Sequence, residues 1–394
     1  MKKKLAIWCV LATFAGLAPL QAQINTSGQG LAGSKTITTA VPFLMVAPDS
    51  RAGGMGEAGV AIADDANATH WNPAGLAFAD KKIGVAMSYS PWLRSLGIPD
   101  INLVYFSGFY NIGEQGGVIG GSLRYFSLGQ INFTDIQGQP VGSDKPNEFA
   151  FDVSYARKIS SVLSGAISLR YIHSRLASNS NISGDLKPVN SVAGDISFKY
   201  QKDFTLNNAA GGLPVTFASG INISNIGPKV SYTDNSAERD FIPVNLRLGY
   251  AFTFHFDEYN SLTFTNDFNK LLVPSVDSLG QGGGRSDQAL LEGMFGSFGD
   301  ADEGFSEELR EINLAFGLEY WYREVFAIRA GFFHEAEDKG NRQFFTLGGG
   351  IKYNVFGLDV AYLAPLEQNH PLQNTLRFTL TYDFAAPTQI LEEQ

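Results

Sequence analysis

The chain has 394 residues, 44 % of them hydrophobic, 12 % aromatic and 17 % charged, with a formal net charge of −10. Its 39 Asp and Glu against 29 Lys and Arg leave no polycationic face for nucleic acid. One cysteine, Cys9, excludes a disulfide framework and a thiolate metal site.

The first residues set the compartment. Lys2, Lys3 and Lys4 make a basic start, an apolar run extends from Leu5 to Leu20, and Leu20-Gln21-Ala22 supplies a cleavage site after Ala22. The run is too short for a transmembrane helix, which needs about 20 apolar residues. Cys9 lies inside it with almost nothing apolar before it, which argues against a lipoprotein anchor. Residues 1–22 are therefore expected to be a signal peptide. Its removal leaves 26 basic and 39 acidic residues, a charge of −13, and no cysteine.

Residues 23–39 are small and polar without periodicity, and residues 40–80 are rich in Pro, Gly, Asp and small apolar residues. Together, 23–80 reads as a flexible lead followed by a plug or periplasmic clasp. Within it Arg51, Gly54, Asn72 and Pro73 are the candidate plug residues, because a buried Arg or Asn there pairs with a charged lumen.

From Ile83 to Phe384 the chain alternates apolar and polar residues in segments of about ten, the length and period of a membrane-spanning β-strand. Phe149, Phe151, Val153 and Tyr155 share one face, with Glu148, Ala150, Asp152, Ser154 and Ala156 on the other. The expected strands are 83–90, 101–110, 118–127, 148–158, 162–173, 190–201, 214–223, 242–256, 261–268, 311–323, 325–334, 343–353, 356–363 and 375–384. The class is thus all-β: a transmembrane antiparallel barrel of about 14 strands over 81–384, with twelve or sixteen as alternatives. A mean hydropathy of −0.04 fits, since only every second strand residue meets lipid. Connectors alternate short and long, as periplasmic turns and outer loops do. Tyr89 and Trp92, or Tyr320, Trp321 and Tyr322, sit where interface girdles belong. Residues 385–394 read as a periplasmic tail behind Tyr382 and Phe384.

The inward set balances Arg124, Arg170, Lys199, Arg247, Arg329, Lys352 and Arg377 against Glu148, Asp152, Asp195, Asp267, Glu319, Asp359 and Asp383. An ion-selective pore lines itself with one sign; this mixture predicts a braced, plugged lumen. The connector 269–310 holds eight acidic and three basic residues, four glycines at Gly280, Gly282, Gly283 and Gly284, and a helical patch that Ser286 would cap. Its apolar Leu290, Met294, Phe295 and Phe298 are the candidate partner-binding residues, since exposed apolar groups mark contact sites.

Catalytic signals are lacking. Gly54-Met55-Gly56-Glu57-Ala58-Gly59 matches a dinucleotide fingerprint without the strand, helix or crossover it needs. His70, His173, His255, His334 and His370 are scattered without metal-ligand spacing, and no hydrolase motif occurs. Neither a cofactor nor a metal is expected. Gly120-Gly121 in the third strand has two readings: a kink that opens the wall sideways, or room for a neighbouring lumen segment.

Ala40-Val41-Pro42-Phe43-Leu44, Ala47 through Gly56, Gly59-Val60-Ala61 and His70-Trp71-Asn72-Pro73-Ala74 resemble the N-terminal signature of the PorV family. These are outer-membrane barrels of the Bacteroidota type IX secretion system, within the wider FadL-like barrels. The resemblance implies an outer-membrane location, no enzymatic activity, and contact with outer-membrane lipid but not nucleic acid. It also implies association with a Sov/SprA-like translocon barrel, capture of cargo C-terminal signal domains, and delivery to a PorU-like sortase or attachment complex at the cell surface. By the same resemblance, 40–80 would occupy or cap the periplasmic side of the lumen, and Gly120-Gly121 would mark a lateral opening. The alternative function is a FadL-type transporter of fatty acids or other hydrophobic small molecules.

Overall fold

Period-two alternation needs a surface with two chemically different sides, and a closed sheet around a polar interior supplies it without leaving an edge. The computed structural model describes residues 35–94, 98, 100–113, 115–135, 137–176, 186–207, 212–234, 239–275, 288–367 and 375–384. The expected signal peptide, the lead to residue 34, Ser286 and the tail lie outside these. The strands are β1 (Ile83–Pro91), β2 (Ile101–Gly113), β3 (Gly117–Leu128), β4 (Ile131–Thr134), β5 (Pro140–Asp144), β6 (Asn147–Lys158), β7 (Leu163–Arg175), β8 (Val189–Leu206), β9 (Leu213–Ile226), β10 (Asn245–His255), β11 (Asn260–Leu271), β12 (Ile312–Tyr322), β13 (Phe326–His334), β14 (Gln343–Tyr353), β15 (Phe356–Pro365) and β16 (Leu376–Phe384).

All but β4 and β5 close into one antiparallel barrel of fourteen strands, each beside its sequence neighbour, with β1 and β16 sealing the seam from Ile83↔Phe384 to Tyr89↔Phe378. β4 and β5 form a separate hairpin inside the connector between β3 and β6, a stretch whose alternation is too short to mark strands in the sequence. One end of the barrel carries short turns such as 159–162 and 354–355. The other carries the long connectors.

The alternation sorts as the pattern requires. In β6, Glu148, Ala150, Asp152, Ser154 and Ala156 are buried, while Phe151, Val153 and Tyr155 are exposed on the outer wall. Most of the expected inward charges are buried; Lys352 stays exposed over the Trp321 ring and Asp383 is half-buried. Three expectations are corrected. β10 begins at Asn245, not residue 242, because Pro243 has no N–H for the ladder, and Ile242 and Val244 fold inward instead. Trp92 turns inward, edge-to-face on Phe126 with centroids 5.6 Å apart. Trp321 faces the cations Arg329 and Lys352 rather than lipid; Tyr320 and Tyr322 are the outward members of that trio.

Residues 35–80 run down the inside. Lys35 donates its N–H to the Asp338 carbonyl at the long-connector end (2.8 Å), and Ala40 donates to Phe241 (2.9 Å). Val41, Phe43 and Leu44 pack there with Leu103, Phe126, Ile172, Ile242 and Val244. Near the short-turn end, Ala68, Trp71, Ala74 and Leu76 pack with Phe109, Val118, Ala156 and Ala166. The segment therefore threads the whole lumen instead of capping one side of it. It enters among the long connectors and reaches β1 at the opposite end.

Space for it comes from glycine. A Cβ on Gly331 of β13 would lie 2.1 Å from the Gly56 nitrogen, and Gly56 itself has φ +68°. Gly331→Val should force the 55–56 turn off the wall, costing roughly 2–3 kcal/mol. A lower denaturation midpoint in detergent, with the closed barrel still formed below it, is the expected result.

Candidate functional site

Irregular backbone inside a barrel leaves N–H and C=O groups that water cannot reach, so wall side chains must meet them. They do so at every level. Thr379 Oγ1 accepts from Ser50 N–H (2.8 Å), Thr346 Oγ1 from Gly56 N–H (2.8 Å), and Asp267 Oδ2 from Gly59 and Val60 N–H (2.7 and 2.9 Å). Arg124 donates to the carbonyls of Phe43 and Leu44 (3.0 and 2.7 Å), Arg247 to His70 (3.1 Å) and Lys199 to Ala63 (3.0 Å).

The four candidate plug residues occupy this interface. Arg51 makes a two-pronged contact with Glu319 of β12 (3.2 and 3.0 Å) and pairs with Asp64 (3.1 Å). Glu319 in turn receives Arg329 (2.7 Å), which also pairs with Asp359 (2.6 Å). Gly54 sits against Gly348 of β14, where a Cβ would come within 3.1 Å of its Cα. Asn72 donates to the carbonyls of Val60 (3.0 Å) and Phe198 (3.1 Å), and its Oδ1 accepts from Ala74 N–H (3.2 Å). It thereby caps the short helical turn Pro73–Phe78, with Pro73 at the first position, where its missing N–H costs nothing. Sequence reasoning missed Asp49, which is fully buried and accepts from Ala52 N–H (2.9 Å) and Trp71 Nε1 (2.6 Å). Its place at the N-cap of Ser50–Gly53 was the available signal. The space among Asp49, Arg51, Gly59, Asn67 and Trp71 is about 10 Å³, no more than one water occupies.

Gly120 faces inward, where a Cβ would lie 2.5 Å from Leu76 and 3.0 Å from Thr69, so its absence makes room for the threaded segment. Pairing of β3 with β2 and β6 passes through Gly120 and Gly121 without a register shift.

The partner-loop candidates divide. The connector between β11 and β12 forms two short helices, α1 (Leu290–Gly296) and α2 (Phe305–Arg310). α1 starts after Ala289, not Ser286, and Glu292 reaches back to the Ala289 N–H (3.4 Å). Met294 is buried, and Leu290 packs against the same cluster. Phe295 is 73 % exposed and Phe298 52 %, and they are joined by Leu291, Phe305 (78 %) and Leu309. The last three were missed because nothing in the sequence fixes which flank of a four- or five-residue apolar set faces out. Glu292, Asp300 and Asp302, interspersed with these residues in the sequence, are exposed as well.

The same connector is anchored by buried charge. Glu307 accepts from Lys35 (2.8 Å) and Lys339 (2.6 Å), while Glu311 accepts from Lys270 (2.6 Å) and Lys339 (2.9 Å). Burial opposes ionisation of Glu307, yet the bonds from Lys339 and Lys35 hold its carboxyl down to about 2. Lys35 is held above its usual value, chiefly by its bond to Glu307.

The sequence matches the model of the family described as type IX secretion system protein PorV over residues 29–278, more than half of the chain. The chain belongs to the PorV family. It is accordingly an outer-membrane barrel of the type IX secretion system. No curated protein matches it. Among solved structures it is similar to a TodX monoaromatic hydrocarbon channel mutant at 12 % identity, covering 85 % of this chain and 99 % of that one, with a TM-score of 0.48. It is also similar to the Pseudomonas putida toluene transporter TodX (12 %, 86 % and 99 %, TM-score 0.47) and to a Pseudomonas aeruginosa FadL homologue (12 %, 89 % and 100 %, TM-score 0.38).

Two outcomes follow for this family member. Arg51→Ala strands Asp64 and half of the Glu319 contact, and because Arg51 is partly exposed the cost should sit near the lower end for a broken buried pair, about 3 kcal/mol. It should show as earlier proteolysis of 40–80 and as new conductance in planar bilayers. Glu307 is depressed in the folded state, so its contribution is present above the ordinary carboxylate range and lost as pH falls from about 4.5 toward 2. A spin label at Ser306 should gain mobility over that window. In Glu307→Gln it should already be mobile at neutral pH.

Proposed function

We propose that this barrel is a non-enzymatic docking component of type IX secretion, binding a translocon barrel and capturing the C-terminal signal domains of cargo for delivery to a cell-surface attachment complex. The carrying observation is the exposed apolar surface of Leu291, Phe295, Phe298, Phe305 and Leu309 on α1, α2 and the turn between them. Five large apolar side chains on one connector exceed the scattered singles of an ordinary surface. The acidic residues interspersed with them disfavour an anionic lipid surface and suit a protein with a basic rim.

Buried salt bridges under α2 hold that surface rigid, which lowers the ordering cost of binding. Transport of hydrophobic small molecules is the less favoured reading. A lumen filled from end to end by 35–80, with continuous pairing at Gly120-Gly121, offers such a molecule no path.

Replacing the five apolar residues by Ser should leave barrel assembly intact. Cargo bearing type IX C-terminal domains should then fall in the medium and accumulate in the periplasm, as in a strain lacking the gene. Normal secretion by that variant, assayed by comparative proteomics of medium and periplasm, would remove the surface from the reading. Normal secretion without the gene would remove the reading itself.

A further inference from the structure

The wall departs from regular pairing at one seam near its long-connector end. β8 pairs with β9 from Leu206↔Leu213 up to Gly194↔Ile226, with a register shift between Gly194 and Ile196. Asn225 sits at the break with a left-handed φ of 63°. Its N–H donates to Asp195 Oδ1 (2.8 Å) and its side chain to the Pro243 carbonyl (2.8 Å). Held this way, the chain leaves the wall. β8 continues to Val189, paired on its β7 side only, where Tyr171↔Val192 and His173↔Asn190.

Along the other edge the departing chain meets the residues leading into β8 at one point and β8 itself at another. Lys187 N–H donates to the Tyr232 carbonyl (2.7 Å), and at Gly227 a Cβ would lie 2.5 Å from the Val192 oxygen. Between these points opens a groove of about 870 Å³, bounded by Pro188–Val192 and Pro228–Ser231 with Arg239 at its rim. Its size is within the range of ligand clefts, about 300–1,000 Å³.

The register tells which groups look into it. Gln201 N–H bonds to Val162 on the β7 side, and successive peptide groups of a strand face opposite edges. Odd-numbered residues of β8 therefore address β7, so Asn190 presents its N–H and C=O and Val192 its N–H to the groove, while the Val192 carbonyl lies against Gly227. No described residue pairs with them across that edge. Alternating donors and acceptors at strand spacing are matched by an extended polypeptide and not by an acyl chain. Lys187 and Asp234 form an ion pair nearby, and Arg239 is exposed with no ion-pair partner among the described residues. Such charges place the mouth at a polar boundary and favour an acidic residue in whatever binds.

We propose that this groove is a strand-addition site, in which an extended segment of a cargo C-terminal signal domain, carrying an acidic residue for Arg239, pairs with the open edge of β8 at Asn190 and Val192. It rests on the cargo-capture reading above and names where capture occurs. The site is separate from the apolar surface on α1 and α2, so each can be removed without the other.

The test uses the purified full chain in detergent and, as probe, the purified C-terminal signal domain of a type IX cargo from the same cell. Val192→Pro removes the N–H that faces the groove and leaves the β7 ladder, as proline on an open strand edge does. Affinity should fall about tenfold, the effect of losing one or two backbone hydrogen bonds. Arg239→Glu, in a connector outside the barrel ladder, should weaken binding as well, and more so at low salt; Val192→Thr should not. Heat-modifiable migration reports that each barrel is closed. Unchanged affinity in a closed Val192→Pro barrel and in Arg239→Glu would overturn the site while leaving cargo capture in place. A wild-type chain that fails to bind the signal domain would overturn both.

Discussion

Backbone that is neither helix nor strand survives at membrane depth only where protein groups replace water around it. That constraint governs residues 35–80 and, through them, the barrel. The threaded segment has few internal hydrogen bonds to offer beyond its short helical turns, so the inward face of the wall cannot be an apolar core. It carries Thr346, Thr379, Asp267, Arg124, Arg247 and Lys199 because each meets a specific peptide group. Balance between the signs follows, since the unpaired remainder of each side chain must find a counter-charge, as Arg329 does between Glu319 and Asp359. Small residues in the segment and glycines in the wall follow too, because side chain bonds to backbone require close approach.

Much of this is legible in the amino-acid sequence. Alternation gave the fourteen strands with ends mostly within a few residues, because inward and outward positions differ so sharply in chemistry. The misreadings share a cause. At 242–244 the apolar alternation continues, but Pro243 cannot join the ladder and the residues pack inward. Trp92 and Trp321 look like interface aromatics by composition, yet one has Phe126 to pack on and the other has two cations to cover. Leu290 and Met294 read as exposed because they lie in a connector, whereas a nearby apolar cluster of Ile242, Val244 and Leu272 takes them in. The direction of residues 35–80 was not legible at all, since it depends on where Lys35 finds Asp338 and Glu307, more than 260 positions away.

The two surfaces assigned to partners arise where the regular wall stops. α1 and α2 rise from the β11–β12 connector, and the groove forms where β9 leaves β8. Both are braced from below by buried polar contacts, Glu307 and Glu311 under the helices and Asp195 with Pro243 at Asn225. A rigid base with open chemistry on top is the arrangement expected of a docking surface that does not reorganise when occupied.

The threading of 35–80 also bears on the order of events during biogenesis. The seam joins β1 to β16, whose paired residues Ile83 and Phe384 lie at opposite ends of the barrel sequence. Once it is sealed, the segment could reach its place only by drawing Lys35 and its neighbours through a space already as narrow as the chain. Ser50 bonded to Thr379 of β16 and Gly56 bonded to Thr346 of β14 tie the segment to strands that emerge late in synthesis. The geometry therefore favours a sheet that curls around the inner segment as around a mandrel, with the last strand closing on the first once the contents are in place.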